Sequence, residues 1–133
     1  MTKKVKYLFS ILAPVSVGEL IDKITILEIK QIHMTGIKLK NVDKELKLLK
    51  NILQDTNLGI DIDLINNLKE VNKNLWEIED NIRIKDSNQE FDKEFIELAR
   101  SVYKENDKRA YIKKEINQKY NSELVEEKSY NNY

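Results

Sequence analysis

Val15-Ser16-Val17-Gly18-Glu19-Leu20-Ile21-Asp22-Lys23-Ile24-Thr25-Ile26-Leu27-Glu28-Ile29-Lys30 opens with a helix start signal and then places a carboxylate where a core helix should be oily. Ser16 and Glu19 stand at capping-box spacing, in which hydroxyl and carboxylate each satisfy a free backbone N–H of the first turn. A helix is therefore predicted over residues 16–34. At about 100° per residue, Val17, Leu20, Ile21, Ile24, Leu27 and Ile32 share one face, and Glu28 projects from the middle of it. Glu19, Asp22, Lys23 and Lys30 fall on the opposite side and read as solvated. An ionised carboxylate in an oily interior costs several kcal/mol unless it is paired, so Glu28 demands a partner.

Two more seams follow. Leu39, Val42, Leu46, Leu49 and Leu53 keep the 3-4 spacing of a helix–helix contact after a candidate cap at Asn41, with Gly36 placed as the C-terminal glycine of the first helix. Asn57-Leu58-Gly59 marks a turn. Leu64, Leu68, Val71, Leu75, Ile78 and Ile82 repeat the spacing behind Asp61 or Asp63, and two seams on a short connection imply an antiparallel hairpin. After the polar segment Asp86–Glu90 a fourth helix begins near Asp92, with Phe91, Phe95, Leu98 and Val102 on one stripe. Asn106, Arg109 and Lys113 continue that stripe as polar residues. Asn121-Ser122 interrupts it before a short helix at Glu123–Lys128.

The fold class predicted is all-α: antiparallel helical hairpins forming a bundle, one domain over residues 1–133, with an extended N-terminal segment (1–14) and a short C-terminal helix and tail (121–133). Val5, Tyr7, Phe9 and Ile11 alternate in a strand-like manner up to Pro14. Such a strand either pairs with its counterpart in a second subunit or lies along the bundle. Ile26 and Ile29 add apolar surface to the nominally polar side of the first helix, more than one neighbour covers; the second contact comes from the N-terminal segment, the fourth helix or another subunit, and a homodimer is the expectation.

Composition narrows the function classes. Twenty-three basic and 23 acidic side chains cancel, so no global field draws the chain to nucleic acid or to an acidic membrane. With no cysteine and one histidine, disulfides, zinc–thiolate sites and His-rich metal sites are excluded. Carboxylates three apart, Glu19 with Asp22 and Glu77 with Asp80, resemble magnesium-binding pairs, but that spacing is common on solvated faces. No metal or cofactor is assigned. The N-terminal apolar run is short and broken by Lys6, which leaves a cytoplasmic location as the default expectation.

The polar residues that the helix pattern turns inward form one candidate cluster: Glu28, Glu79, Arg83, Asn106 and Arg109. Arg109 is the expected partner of Glu28, because a planar guanidinium matches a carboxylate in two bonds. Glu79 and Arg83, four apart, are expected to pair. The cluster reads either as a satisfied polar layer that fixes helix register or as a ligand pocket.

The segments Pro14–Lys30, Leu75-Trp76-Glu77-Ile78-Glu79-Asp80-Asn81-Ile82-Arg83, Phe95–Arg100, Asn106–Ala110 and Ser122–Tyr130 together resemble a bacterial family of short proteins whose function is unassigned. The resemblance covers most of the chain and implies no catalytic or binding residue. The leading expectation is a non-enzymatic assembly or adaptor module with a protein partner. The rival is a small bundle enzyme or ligand-binding protein that uses the buried Glu/Arg cluster on a small anionic or nucleotide substrate.

Overall fold

In the computed structural model, which describes residues 9–129, four helices follow one another: α1 (Val17–His33), α2 (Gly36–Asp55), α3 (Ile62–Ser87) and α4 (Lys93–Lys119). The fold is all-α, with no strand among the described residues. The strand-like positions Val5 and Tyr7 lie outside those residues. Residues 9–16 carry no regular structure, and Ile11 and Leu12 are exposed. Residues 121–129 form no helix either; the short helix expected at Glu123–Lys128 is replaced by an extended strap.

Local chemistry explains where the helices begin and end. The first-turn amides of α1 have no partner within the helix. Ser16 Oγ accepts from Glu19 N at 3.0 Å, Asn117 Oδ1 accepts from Gly18 N at 2.7 Å, and Ser122 Oγ accepts from Val17 N at 3.1 Å. Two of these three caps come from the far end of the chain, so the start of α1 is completed by tertiary structure. Asp61 caps α3 through Asp63 N, and Asp92 caps α4 through Phe95 N. Asn41, expected as the cap of the second helix, lies inside it; α2 begins behind Thr35 at Gly36, whose φ of +63° suits a glycine.

α1 is the hub. It packs against α2, α3 and α4, whereas the backbone of α2 approaches α1 alone among the described residues. Two apolar clusters result. Ile21 of α1 meets Leu68, Val71 and Leu75 of α3 and Ile112 and Ile116 of α4; on the other side Ile24 and Leu27 meet Val42 and Leu46 of α2. Leu53 touches both. Ile29, expected on the polar side, is buried, while Ile32 is exposed. The buried arc of α1 is wider than its apolar stripe, because three helices surround it.

The approach of α1 to α4 is close at one point. A Cβ added to Gly18 would stand 2.6 Å from the Lys113 carbonyl oxygen and 3.0 Å from Asn117 Oδ1. The first of these is backbone and has no rotamer to change. Gly18→Ala is therefore expected to lower the unfolding free energy by about 1–3 kcal/mol, the usual range for forced overpacking. Urea unfolding of the two proteins measures it, and an unchanged midpoint would show that the contact yields.

Candidate functional site

The side chains that meet between α1, α3 and α4 are not those that the apolar stripe of α1 singles out. Gly18, Asp22, Thr25 and Ile29 recur at spacings of four, three and four, a second stripe beside the oily one, and all four are buried. Asp22, expected on the solvated side, is 1% exposed. Its carboxylate takes a two-pronged bond from Arg109 of α4, Nε to Oδ1 at 2.9 Å and Nη2 to Oδ2. Asn72 of α3 donates Nδ2 to the same Oδ1 and to Thr25 Oγ1, both at 2.9 Å, and Thr25 donates to the Asp22 carbonyl at 2.7 Å. The carboxylate thus accepts three hydrogen bonds, two of them from a cation, which is the condition under which a buried charge is tolerated.

Lys113 extends the cluster one turn along α4. Its ammonium lies 2.6 Å from Glu19 Oε2, 2.7 Å from Glu126 Oε2 and 3.9 Å from Asp22 Oδ2, with the side chain only 7% exposed. Glu19 therefore does not close a capping box back onto Ser16. Its carboxylate is turned to the lysine, and of the two capping-box residues only the Ser16 side chain bonds the first turn. A further turn along, Asn117 spends its oxygen on Gly18 N, and its buried Nδ2 has no acceptor among the described residues.

Charges of both signs fix the protonation states. Burial pushes the Lys113 ammonium down, but hydrogen bonds to Glu126 and Glu19 and the charge of Asp22 more than reverse this and leave its pKa above the ordinary lysine value. The bond to Asp22 raises Arg109 in the same way, against a smaller opposing push from burial. Both cations keep their protons at neutral pH, so they offer positive charge and hydrogen-bond donors, not a base or an amine nucleophile.

Beside this pair lies a cavity of about 240 Å³, lined by Glu19, Asn106, Arg109, Ala110, Lys113, Glu126 and Lys128. Its walls are polar, and one of them is the 123–129 strap. Of the five residues that the sequence offered as a cluster, Asn106 and Arg109 line this cavity and the other three lie elsewhere. Glu28 sits in the cleft where α2 and α3 fail to meet. There its carboxylate, 26% exposed, faces Lys69 at 3.5 Å and Lys50 at 3.8 Å instead of Arg109. Glu79 and Arg83 do pair, at 3.8 Å, but on the open surface of α3. Among the described residues no group of three or more carboxylates and histidines is placed to share a metal ion, and the oxygens of Glu19 and Asp22 are directed at the cations.

The fold and cluster define an all-α protein whose three packed helices enclose a buried Asp–Arg–Lys layer beside a small polar cavity. Over residues 12–133 the chain matches a family model described as a family of unknown function (DUF6165), and it belongs to that family. No curated protein and no solved structure matches it. No helix is long and apolar enough to cross a membrane among the described residues.

Two outcomes are expected from this layer. Asp22→Ala strands Arg109 beside a void and should cost about 3 kcal/mol, the low end for breaking a buried pair because Arg109 is 29% exposed and water can reach it. Adding Arg109→Met should restore part of the loss, whereas simple summation of the two losses in a double-mutant cycle would count against the coupling.

The second outcome concerns the strap. The hydrogen bond from Lys113 holds the Glu126 carboxyl below its ordinary 4.5 against the opposing push of burial, and the charges of Lys113, Lys128 and Arg109 assist to a smaller degree. A carboxylate depressed in the folded state contributes its full stabilisation above the ordinary value and loses it as pH falls through the depressed one. The ¹H–¹⁵N shifts of residues 123–129 should therefore hold constant down to about pH 5, the top of the carboxylate range, and move toward free-chain values only below 4.5. A shift toward free-chain values near neutral pH would show that another contact holds the strap.

Proposed function

We propose that the protein is a helical assembly module that joins a second copy of itself through the projecting halves of α3 and α4. The supporting observation is the distribution of burial along this hairpin. Leu75 is the last buried side chain of α3 and Ile112 the first of α4, and none of residues 76–111 between them is buried. From Leu75 to the end of α3 the helix continues for about 18 Å. Its seam stays apolar throughout, with Ile78 and Ile82 set toward Phe95, Leu98 and Val102, all of them only half-buried. Phe91, Ile84 and Ile96 are exposed.

Two antiparallel helices shield one another along a single line, and an isolated pair leaves its apolar flanks in water. The structure that completes such a pair is another pair. A contiguous exposed apolar face of this kind is more often an interface than free surface. Charge favours a second copy. The projecting part of α3 carries Glu77, Glu79, Asp80 and Asp86 against Arg83 and Lys85, while that of α4 carries Lys93, Arg100, Lys104, Lys108 and Arg109 against Glu94, Glu97, Glu105 and Asp107. A two-fold arrangement that sets α3 beside the partner's α4 brings opposite signs together.

The tip is built to hold its shape alone. Lys85 reaches Asp92 at 2.9 Å, Glu94 at 3.1 Å and Glu90 at 3.2 Å, and Phe91 meets Phe95 edge-on at 5.3 Å between ring centres. These contacts raise the Lys85 pKa and hold the two helix ends together. A preformed hairpin docks without the ordering cost of an unstructured segment.

The double substitution Ile82→Glu with Leu98→Glu tests the reading, because both positions lie beyond the buried core. Sedimentation of the wild-type chain at concentrations of roughly tens of micromolar should give twice the monomer mass, and the variant should sediment as a monomer with its helix content retained. A monomeric wild type, or a variant that remains paired, would overturn the proposal.

A further inference from the structure

The polar cavity beside Arg109 and Lys113 carries a second, independent reading, which does not rest on self-assembly. Three carboxylates surround the Lys113 ammonium, and they are held differently. Asp22 and Glu19 stand on α1, a rigid element capped from two sides. Glu126 belongs to a strap with no regular structure, every residue of which from 123 to 129 is exposed. The hydroxyl of Ser122, bonded to Val17 N and to the Leu124 carbonyl, anchors the strap at its root, and the 2.7 Å bond of Glu126 to Lys113 holds it further along. A segment without regular structure and with every residue exposed opens at smaller cost than the helices beneath it.

Lifting Glu126 changes the cavity from neutral to receptive. Lys113 would regain a free N–H direction. Arg109 uses Nε and Nη2 on Asp22, and its Nη1 has no acceptor among the described residues. Both cations lie within 3.9 Å of the same Asp22 oxygen, so a molecule of few atoms can touch both at once. The Asn106 amide lines the same space. The volume, about 240 Å³, is far above the ~15 Å³ that one water needs.

We infer that this cavity is a binding site for a small monocarboxylic acid, whose carboxylate takes the place that the Glu126 carboxylate holds on Lys113 when the strap is closed. The exchange sets one carboxylate in place of another on the Lys113 ammonium. A dianion would add a surplus negative charge beside Glu19 and Asp22. An oxygen on the carbon next to the ligand's carboxylate, as in 2-hydroxy or 2-oxo acids, is within the reach of the outer edge of Arg109 and of the Asn106 amide, which have donors to give. The strap is thus an internal competitor, and ligand binding and strap release are one event.

Sodium lactate is the probe, titrated into the full chain under ¹H–¹⁵N observation against sodium chloride at equal ionic strength, with inorganic phosphate in a separate series. Lactate, up to roughly 10 mM at the weak end of the affinity range, is expected to shift amides of residues 106–113. Residues 123–129 should move to the positions and line widths of a free chain. Glu126→Ala removes the competitor at an exposed position, and should tighten lactate binding about tenfold. Asn106→Ala, also outside the core, should weaken it several-fold without changing the unfolding midpoint. Lactate shifts no larger than those of chloride, equal affinity in wild type and Glu126→Ala, or phosphate binding as tight as lactate would each overturn the inference.

Discussion

The carboxylate of Asp22 is the charge around which the packing of this chain is settled. An ion held at 1% exposure cannot stay unpaired, and the side chains that pair it come from two other helices, Asn72 from α3 and Arg109 from α4. α1 can therefore slide or rotate against neither without leaving a buried charge stranded. An apolar interface of isoleucines and leucines tolerates many registers at similar energy, whereas this one specifies a single register. The Gly18 contact with the Lys113 carbonyl sits one turn away and needs the same alignment. Position of the helices and identity of the polar residues thus follow from each other.

Much of the fold was legible because helix seams and turn chemistry are local. The leucine and isoleucine spacings of α2 and α3 are a matter of period, and the breaks were marked by residues that accept a left-handed backbone. Asn57, Gln89 and Asn121 each have φ between 55° and 58°, and each falls in a polar stretch already set apart as a connection. The polar cluster was only partly legible. Glu28 does lie in the middle of the apolar stripe of α1, as the helical period requires, yet that part of the stripe faces a cleft that α2 and α3 leave open. Lysines there answer its charge from the surface. Whether a face is covered depends on how neighbours are arranged, which a period does not record. The Gly18-Asp22-Thr25-Ile29 spacing was the available signal for the true polar seam, and three small or polar residues in it disguised it as surface. Glu19 was misassigned for a related reason: its capping role is local, and Lys113, 94 residues on, outbids the local partner.

The molecule divides lengthwise into regions of different character. Where α1 lies against α3 and α4 the interior is filled, part oily and part ionic. Beyond Trp76, whose ring stacks on His33 at 4.8 Å near the end of α1, only two helices remain and nothing is fully covered. The polar cavity opens at the filled end, next to the caps that α4 and the strap place on α1. The cavity is thus formed by α1, α4 and the strap, whereas the apolar seam between α3 and α4 runs on past it toward the tip.

The peripheral place of α2 has its own consequence for how the chain comes apart. Its buried side chains, Val42 and Leu46, rest on Ile24 and Leu27, while the second cluster is completed without it except for Leu53. Its far end is followed by Asp61, which Lys119 grips at 2.9 Å and whose amide donates to the Tyr120 hydroxyl, so the chain would remain tethered if the helix swung away. A partial opening that frees α2 alone thus uncovers one flank of α1 and spares the Asp22 layer. Such packing sets α2 apart as the element whose release leaves the largest part of the structure standing.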